Sequence, residues 1–139
     1  MRQGLFASPR PDNLGLHDGM LAPAPSTPNG VSSQATDSKH YVAPLPMPQD
    51  CCVSAMEKLH GIIESMGHAE IVSEDGGYLH AEFHTPVLGF VDDVEIVCNE
   101  EEGVCHVRSV SRRGLSDLGK NRQRVEDIRQ RLEGWGYCS

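Results

Sequence analysis

Aromatic residues make up only 5% of this 139-residue chain. No apolar run approaches the roughly 20 residues that a membrane-spanning helix requires, so no integral membrane segment is expected. The opening residues, MRQGLFASPRPDN, lack the apolar segment of a secretory leader. Common catalytic signatures are missing as well. No Gly-x-Ser-x-Gly turn presents a nucleophilic serine, no phosphate-binding loop is present, and no Cys-x-x-Cys spacing suggests structural zinc. A net charge of −8 excludes a general nucleic-acid binder, which needs clustered Lys and Arg to meet phosphate. A cytoplasmic location is expected, or a periplasmic or plastid one if a leader precedes Met1.

The charge that is present is unevenly placed. Nine acidic residues lie between Glu74 and Glu102, and eight of the twelve basic ones lie between Arg108 and Arg131. Five cysteines, Cys51, Cys52, Cys98, Cys105 and Cys138, are an odd number and read as free thiols in a reducing compartment. Cys98 and Cys105 form the one pair that a hairpin brings within bonding distance.

That hairpin comes from the segment 78–122, which alternates with a period of two, the mark of a half-buried strand. From Tyr78 to Thr85, Leu79, Ala81 and Phe83 fall on one side and His80, Glu82 and His84 on the other. From Phe90 to Cys98, Phe90, Val94, Ile96 and Cys98 oppose Val91, Asp93, Glu95 and Val97. Asp92 breaks the apolar side near a strand end, where it is expected to reach water. From Val104 to Arg112, Cys105, Val107, Ser109 and Ser111 alternate with His106, Arg108, Val110 and Arg112. Pairing Cys98 with Cys105 across the loop Asn99–Gly103 sets Ile96 against Val107 and Glu95 against Arg108. A slip of one residue would mix the faces.

Around these strands, an Asp50-capped helix carries the stripe Val53, Met56, Leu59, Ile63, Met66 and stops at Gly67. A short strand, Ala69–Ser73, meets the next through the Gly76–Gly77 turn. A second helix capped by Ser116 or Asp117 carries Leu118, Val125, Ile128 and Leu132; Gly134 ends it, and Trp135 and Tyr137 fold back as a cap. Eight of nine prolines lie in the first 50 residues. The expectation is an α+β fold: a four-stranded antiparallel sheet, two helices on one face, and an irregular Pro-rich arm (1–49) wrapping the domain (50–139) so that both form one unit.

Several of these stretches carry a resemblance. RPDNLG (Arg10 to Gly15), LAPAPSTPNGVSSQATD (Leu21 to Asp37), His40, Pro44-Leu45, YLHAEF (Tyr78 to Phe83), GFVDDVE (Gly89 to Glu95), VRSVSRRG (Val107 to Gly114) and SDLGKNRQRVEDIR (Ser116 to Arg129) resemble the domain of unknown function 1499 family, in order and over nearly the whole chain. The resemblance implies a fold and an ordered arm, with no established activity. Family members carry arm cysteines where this chain has Ala24 and Gly30, so any disulfide or ligand tied to them is closed to this chain.

The polar face gathers His80, Glu82, His84, Asp93, Glu95, His106, Arg108 and Arg112, and three readings are open. In the first, opposite charges pair across strands beneath the arm and specify register. In the second, Arg108, Arg112, Arg113, Asn121 and Arg122 converge at the start of the last helix to bind an anionic ligand or partner, since guanidinium matches carboxylate and phosphate. The third is a metal-dependent enzyme using His80 and Glu82 with His106 as a further ligand. His80 and His84 are excluded as a pair, lying roughly 13 Å apart on one strand. The balance favours a non-catalytic binding or scaffold module with no cofactor, whose ligand residues are His80, Glu82, Asp93, Glu95, His106, Arg108, Arg112, Asn121 and Arg122 and whose partner is a protein or a small anion.

Overall fold

Period-two alternation from Tyr78 onward gives three long strands, and residues from the N-terminal arm extend them. The computed structural model describes residues 9–47, 51–85, 90–112 and 117–136, with residues 135 and 136 described by their backbone alone. In chain order the elements are β1 (Gly30–Ser32), β2 (Leu45–Pro46), α1 (Cys52–Ser65), β3 (Ala69–Asp75), β4 (Tyr78–His84), β5 (Val91–Asn99), β6 (Val104–Ser111) and α2 (Lys120–Gly136). The fold is α+β with an antiparallel sheet of order β1-β6-β5-β4-β3, and β2 also pairs with β6.

The sheet therefore has six strands rather than the expected four. The arm is not merely an irregular wrap. Its β1 lies against Arg108–Val110 and its β2 against Val104–Cys105, covering the free edge of β6. An exposed edge would offer unpaired N–H and C=O groups to other chains. Val31, Val42, Leu45 and Met47 join the core from this segment. Ser32 and Ser33 act as turn and edge fasteners: Ser32 Oγ accepts from the Gln34 amide at 3.1 Å, and Ser33 Oγ accepts from the Val107 amide at 2.8 Å. Gly30 lies so close to β6 that a Cβ there would fall 2.7 Å from Val110 Cγ2 and 3.0 Å from the Ser109 carbonyl oxygen. A side chain at position 30 has no room in this packing.

The register of the central hairpin is the one that separates oil from ions. Cys98 faces Cys105, Ile96 faces Val107 and Glu95 faces Arg108. Leu79, Ala81, Phe83, Val94, Ile96, Cys105 and Val107 meet Ala55, Met56, Leu59, Ile62 and Ile63 of α1 and Val125, Ile128 and Leu132 of α2 in one core. Each such side chain contributes roughly 1.5–3 kcal/mol of transfer free energy before ordering entropy is subtracted.

Several local expectations are corrected. Val53 is exposed, and the buried face of α1 runs instead through Ala55 and Ile62. The α1 N-cap position is Cys51, with no side-chain cap bond, while Asp50 lies outside the described residues. Leu118 sits in the left-handed region (φ 55°) and is 94% exposed, ahead of α2 rather than on its stripe. Asp117 caps α2 by accepting from the Gly119 amide at 2.8 Å and the Asn121 amide at 3.2 Å, and those bonds hold its carboxyl below the usual range against the opposing effect of burial. Gly134 lies inside α2 and does not end it. Ser116, Tyr137 and the Trp135 side chain lie outside the description.

The cysteines depart furthest from expectation. Cys52, at the start of α1, is disulfide-bonded to Cys98 at the end of β5, 46 residues away. Cys98 and Cys105 are cross-strand neighbours and are not bonded to each other. Gly77 makes room for the bridge: a Cβ there would meet Cys98 Cβ at 3.1 Å and Cys52 Sγ at 3.7 Å. Cys51 and Cys105 are free, and burial pushes the Cys105 thiol up to about 11, leaving it an inert core group.

Candidate functional site

The opposite face of the sheet carries the ionic side chains, aligned in rows by the β4–β5–β6 register. His80, Glu95 and Arg108 form one row, and Glu82 and Asp93 lead the next. All five are buried. Arg112, just beyond β6, turns its guanidinium across the second row. Nη2 donates to Glu82 Oε2 at 2.6 Å and to Asp93 Oδ1 at 2.9 Å, and Nε donates to Asp93 Oδ2 at 2.8 Å. Asp93 also bonds His80 Nε2 at 2.7 Å. Arg108 reaches Glu95 at 3.3 Å, and Glu95 takes further bonds from the Tyr78 hydroxyl and the Gly15 amide.

The N-terminal arm closes this layer from outside. Arg10 Nε donates to Glu82 at 2.7 Å, the Gly15 amide donates to Glu95 at 2.7 Å, and the Pro23 carbonyl accepts two bonds from Arg108, each 3.2 Å. Three carboxylates (Glu82, Asp93, Glu95) are thus matched by three guanidiniums (Arg10, Arg108, Arg112). Ion pairs this deep specify geometry more than they add stability, because desolvation offsets most of their attraction.

The titration shifts follow from these contacts. Burial raises the Glu82 and Asp93 carboxyls, but hydrogen bonds from Arg10 and Arg112 on the one, and from His80 and Arg112 on the other, outweigh it and hold both low. Burial lowers the Arg108 guanidinium, opposed by Glu95. Burial and then Glu95 push the Tyr78 hydroxyl well above its ordinary value. Because Glu82 and Asp93 hold protons less readily when folded, the stability they lend is complete above their unfolded values and is lost as pH falls through the depressed folded ones. The urea midpoint is expected to fall once pH drops below about 4, and this acid slope should be shallower in Arg112→Ala.

Other residues expected at this site lie elsewhere. Asn121 is on the helix-covered face, fully buried, taking a bond from Ser109 Oγ at 2.6 Å and donating to Ser111 Oγ at 2.9 Å. Arg122 donates to the Tyr41 and Lys39 carbonyls, tying the arm to α2. His106 is occupied by Ser33 Oγ at 2.8 Å and Glu102 at 2.6 Å, one row beyond His80, and does not join His80 and Glu82. The convergence of Arg108, Arg112, Asn121 and Arg122 on one anion is therefore absent; Arg113 lies outside the described residues. Asp92 does not reach water but is 1% exposed between Arg124 (2.7 Å) and Lys120 (3.1 Å). Asp93 replaces His106 as the neighbour of His80 and Glu82, their candidate ligand atoms lying within 4.8 Å of one another. The Arg112 guanidinium, a cation already on two of those carboxylates, fits the cluster better than a metal ion does.

A sequence profile described as "Protein of unknown function (DUF1499)" matches residues 20–132. The chain belongs to the DUF1499 family. That match runs from the arm through both helices, so the DUF1499 unit includes β1 and β2. Comparisons with curated proteins and with solved structures gave no match. No described helix is long and apolar enough to cross a membrane.

Proposed function

We propose that this DUF1499 chain is a non-catalytic binding or scaffold module whose partner is a protein that docks on the outer side of the arm. One observation carries the reading: His80, Glu82, Asp93, Glu95 and Arg108 are buried and held by ionic hydrogen bonds, with Arg112 spanning Glu82 and Asp93. A face neutralised in this way offers little to a soluble anion. The arm that covers it is pinned from beneath and turns Leu16, Met20 and Tyr41 outward, each at least 43% exposed. It also forms a cleft of about 430 Å³ between Met20–Ser26 and Gln34–Asp37. Apolar side chains held on a rigid support suit protein recognition, because little ordering entropy is lost on docking. The Cys52–Cys98 bridge supports an oxidising compartment over the cytoplasm.

The test is capture from native extract by wild-type protein and by the double variant Leu16→Asp, Met20→Asp. A saturable companion retained by the first and lost by the second, with thermal stability unchanged, is expected. Equal capture by both would contradict the arm-docking surface. Saturable thermal stabilisation by phosphate would contradict the choice of a protein over an anion.

A further inference from the structure

We propose that Glu70, Glu82 and His84 form an open site for one divalent transition-metal ion at the β3 edge of the sheet. The site does not depend on the partner-docking reading. Glu70 and Glu82 are direct cross-strand partners, and His84 follows Glu82 on the same face. Two carboxylates set opposite each other repel, and a cation between them would relieve what repulsion Arg10 and Arg112 leave on the Glu70 side of Glu82. His84 Nε2 lies 4.0 Å from Glu70 Oε1 and 3.8 Å from Glu82 Oε1, too far for a hydrogen bond to either. The three candidate ligand atoms nevertheless lie within 4.8 Å of one another. Ligands bonded at about 2.0–2.2 Å to one ion stand roughly 3–4 Å apart, so a small contraction completes the site.

Glu82 supplies a second, independent indication. Its side chain is 1% exposed, and its Oε2 is held by both Arg10 and Arg112. Oε1 has no hydrogen bond among the described residues and points toward His84. Two arginines on one oxygen fix the direction of the other, which is how outer-shell contacts orient a metal-binding carboxylate. The His80, Glu82, Asp93 cluster differs because Arg112 occupies it, whereas among the described residues no guanidinium is bonded to Glu70 or His84. Glu70 is 59% and His84 27% exposed, leaving an entry path and positions for water. One imidazole with two carboxylates suits Zn²⁺ or Mn²⁺ better than Ca²⁺ or Cu⁺.

The experiment titrates Zn²⁺ into untagged, metal-stripped full-length protein by calorimetry, alongside Glu70→Ala, His84→Ala and the control His60→Ala, whose imidazole contacts Glu64 and Glu74 on another surface. Glu70 and His84 are accessible enough that their removal should leave metal-free thermal stability unchanged. One ion per chain is expected, weakened about tenfold or more by Glu70→Ala and by His84→Ala and unaffected by His60→Ala. Absence of stoichiometric binding, binding by both site variants as tight as by wild type, loss in His84→Ala alone, or loss in His60→Ala would each overturn the proposal.

Discussion

Arg112→Ala is expected to destabilise the protein by about 3–5 kcal/mol, read as a lowered urea midpoint with an unchanged slope. Among the described residues the guanidinium is the one cation bonded to both Glu82 and Asp93, and its side chain is 7% exposed. Its removal leaves Asp93 with His80 and Glu82 with the half-exposed Arg10. The cost comes chiefly from stranding buried charge rather than from losing the hydrogen bonds to Glu82 and Asp93 themselves. Two further variants separate these causes. Arg112→Lys keeps the charge and loses the planar fork, so it should fall between wild type and alanine. The triple variant Glu82→Gln, Asp93→Asn, Arg112→Met removes the charges together and should be more stable than Arg112→Ala. A triple variant no better than the single would locate the cost in packing.

The second large effect concerns the bridge between α1 and β5. Cys52 and Cys98 close a loop across 46 positions, for which the chain-entropy relation gives about 4 kcal/mol at 25 °C, with about 2–4 usual in practice. Reduction, or Cys52→Ser with Cys98→Ala, should lower stability by that amount while keeping the fold. The remaining core is extensive, and β5 stays hydrogen-bonded to β4 and β6 along its length. Peptide mapping without reductant should recover a 52–98 linkage and leave Cys105 alkylatable only after denaturation. Recovery of a 98–105 linkage would contradict the structure.

How much of this was legible in the sequence depends on the range of the interaction. Parity along β4, β5 and β6 encodes which side chains share a face, and the apolar and ionic pairs agree on one register. Hence Glu95–Arg108 and the Leu79, Ala81, Phe83 core face could be read directly. The six-stranded sheet could not, because β1 and β2 have three and two residues, too few for a periodic signal. Asp92 looked like an interruption because its partners, Lys120 and Arg124, arrive from a helix far along the chain. Asn121 was misplaced for the same reason: its position before a helical stripe says nothing about the Ser109 and Ser111 hydroxyls that receive it. The 52–98 pairing depends on how α1 lands on the sheet, which no spacing records. Spacing sets Leu118 in line with the Val125, Ile128 and Leu132 stripe, while the turn that precedes α2 carries it outward.

The ionic layer fastens the N-terminal arm onto the sheet through Arg10, Gly15 and Pro23, and hydrogen exchange at single-residue resolution reads that fastening. The Gly15 amide, bonded to Glu95, and the Ser32 and Ser33 amides, bonded to the His40 and Val107 carbonyls, are predicted to be protected in wild type. Protection at Gly15 should fall selectively in Glu95→Gln. Free exchange at Gly15 beside a fully protected β5 would show an arm not fastened to the ionic face, and would contradict the claim.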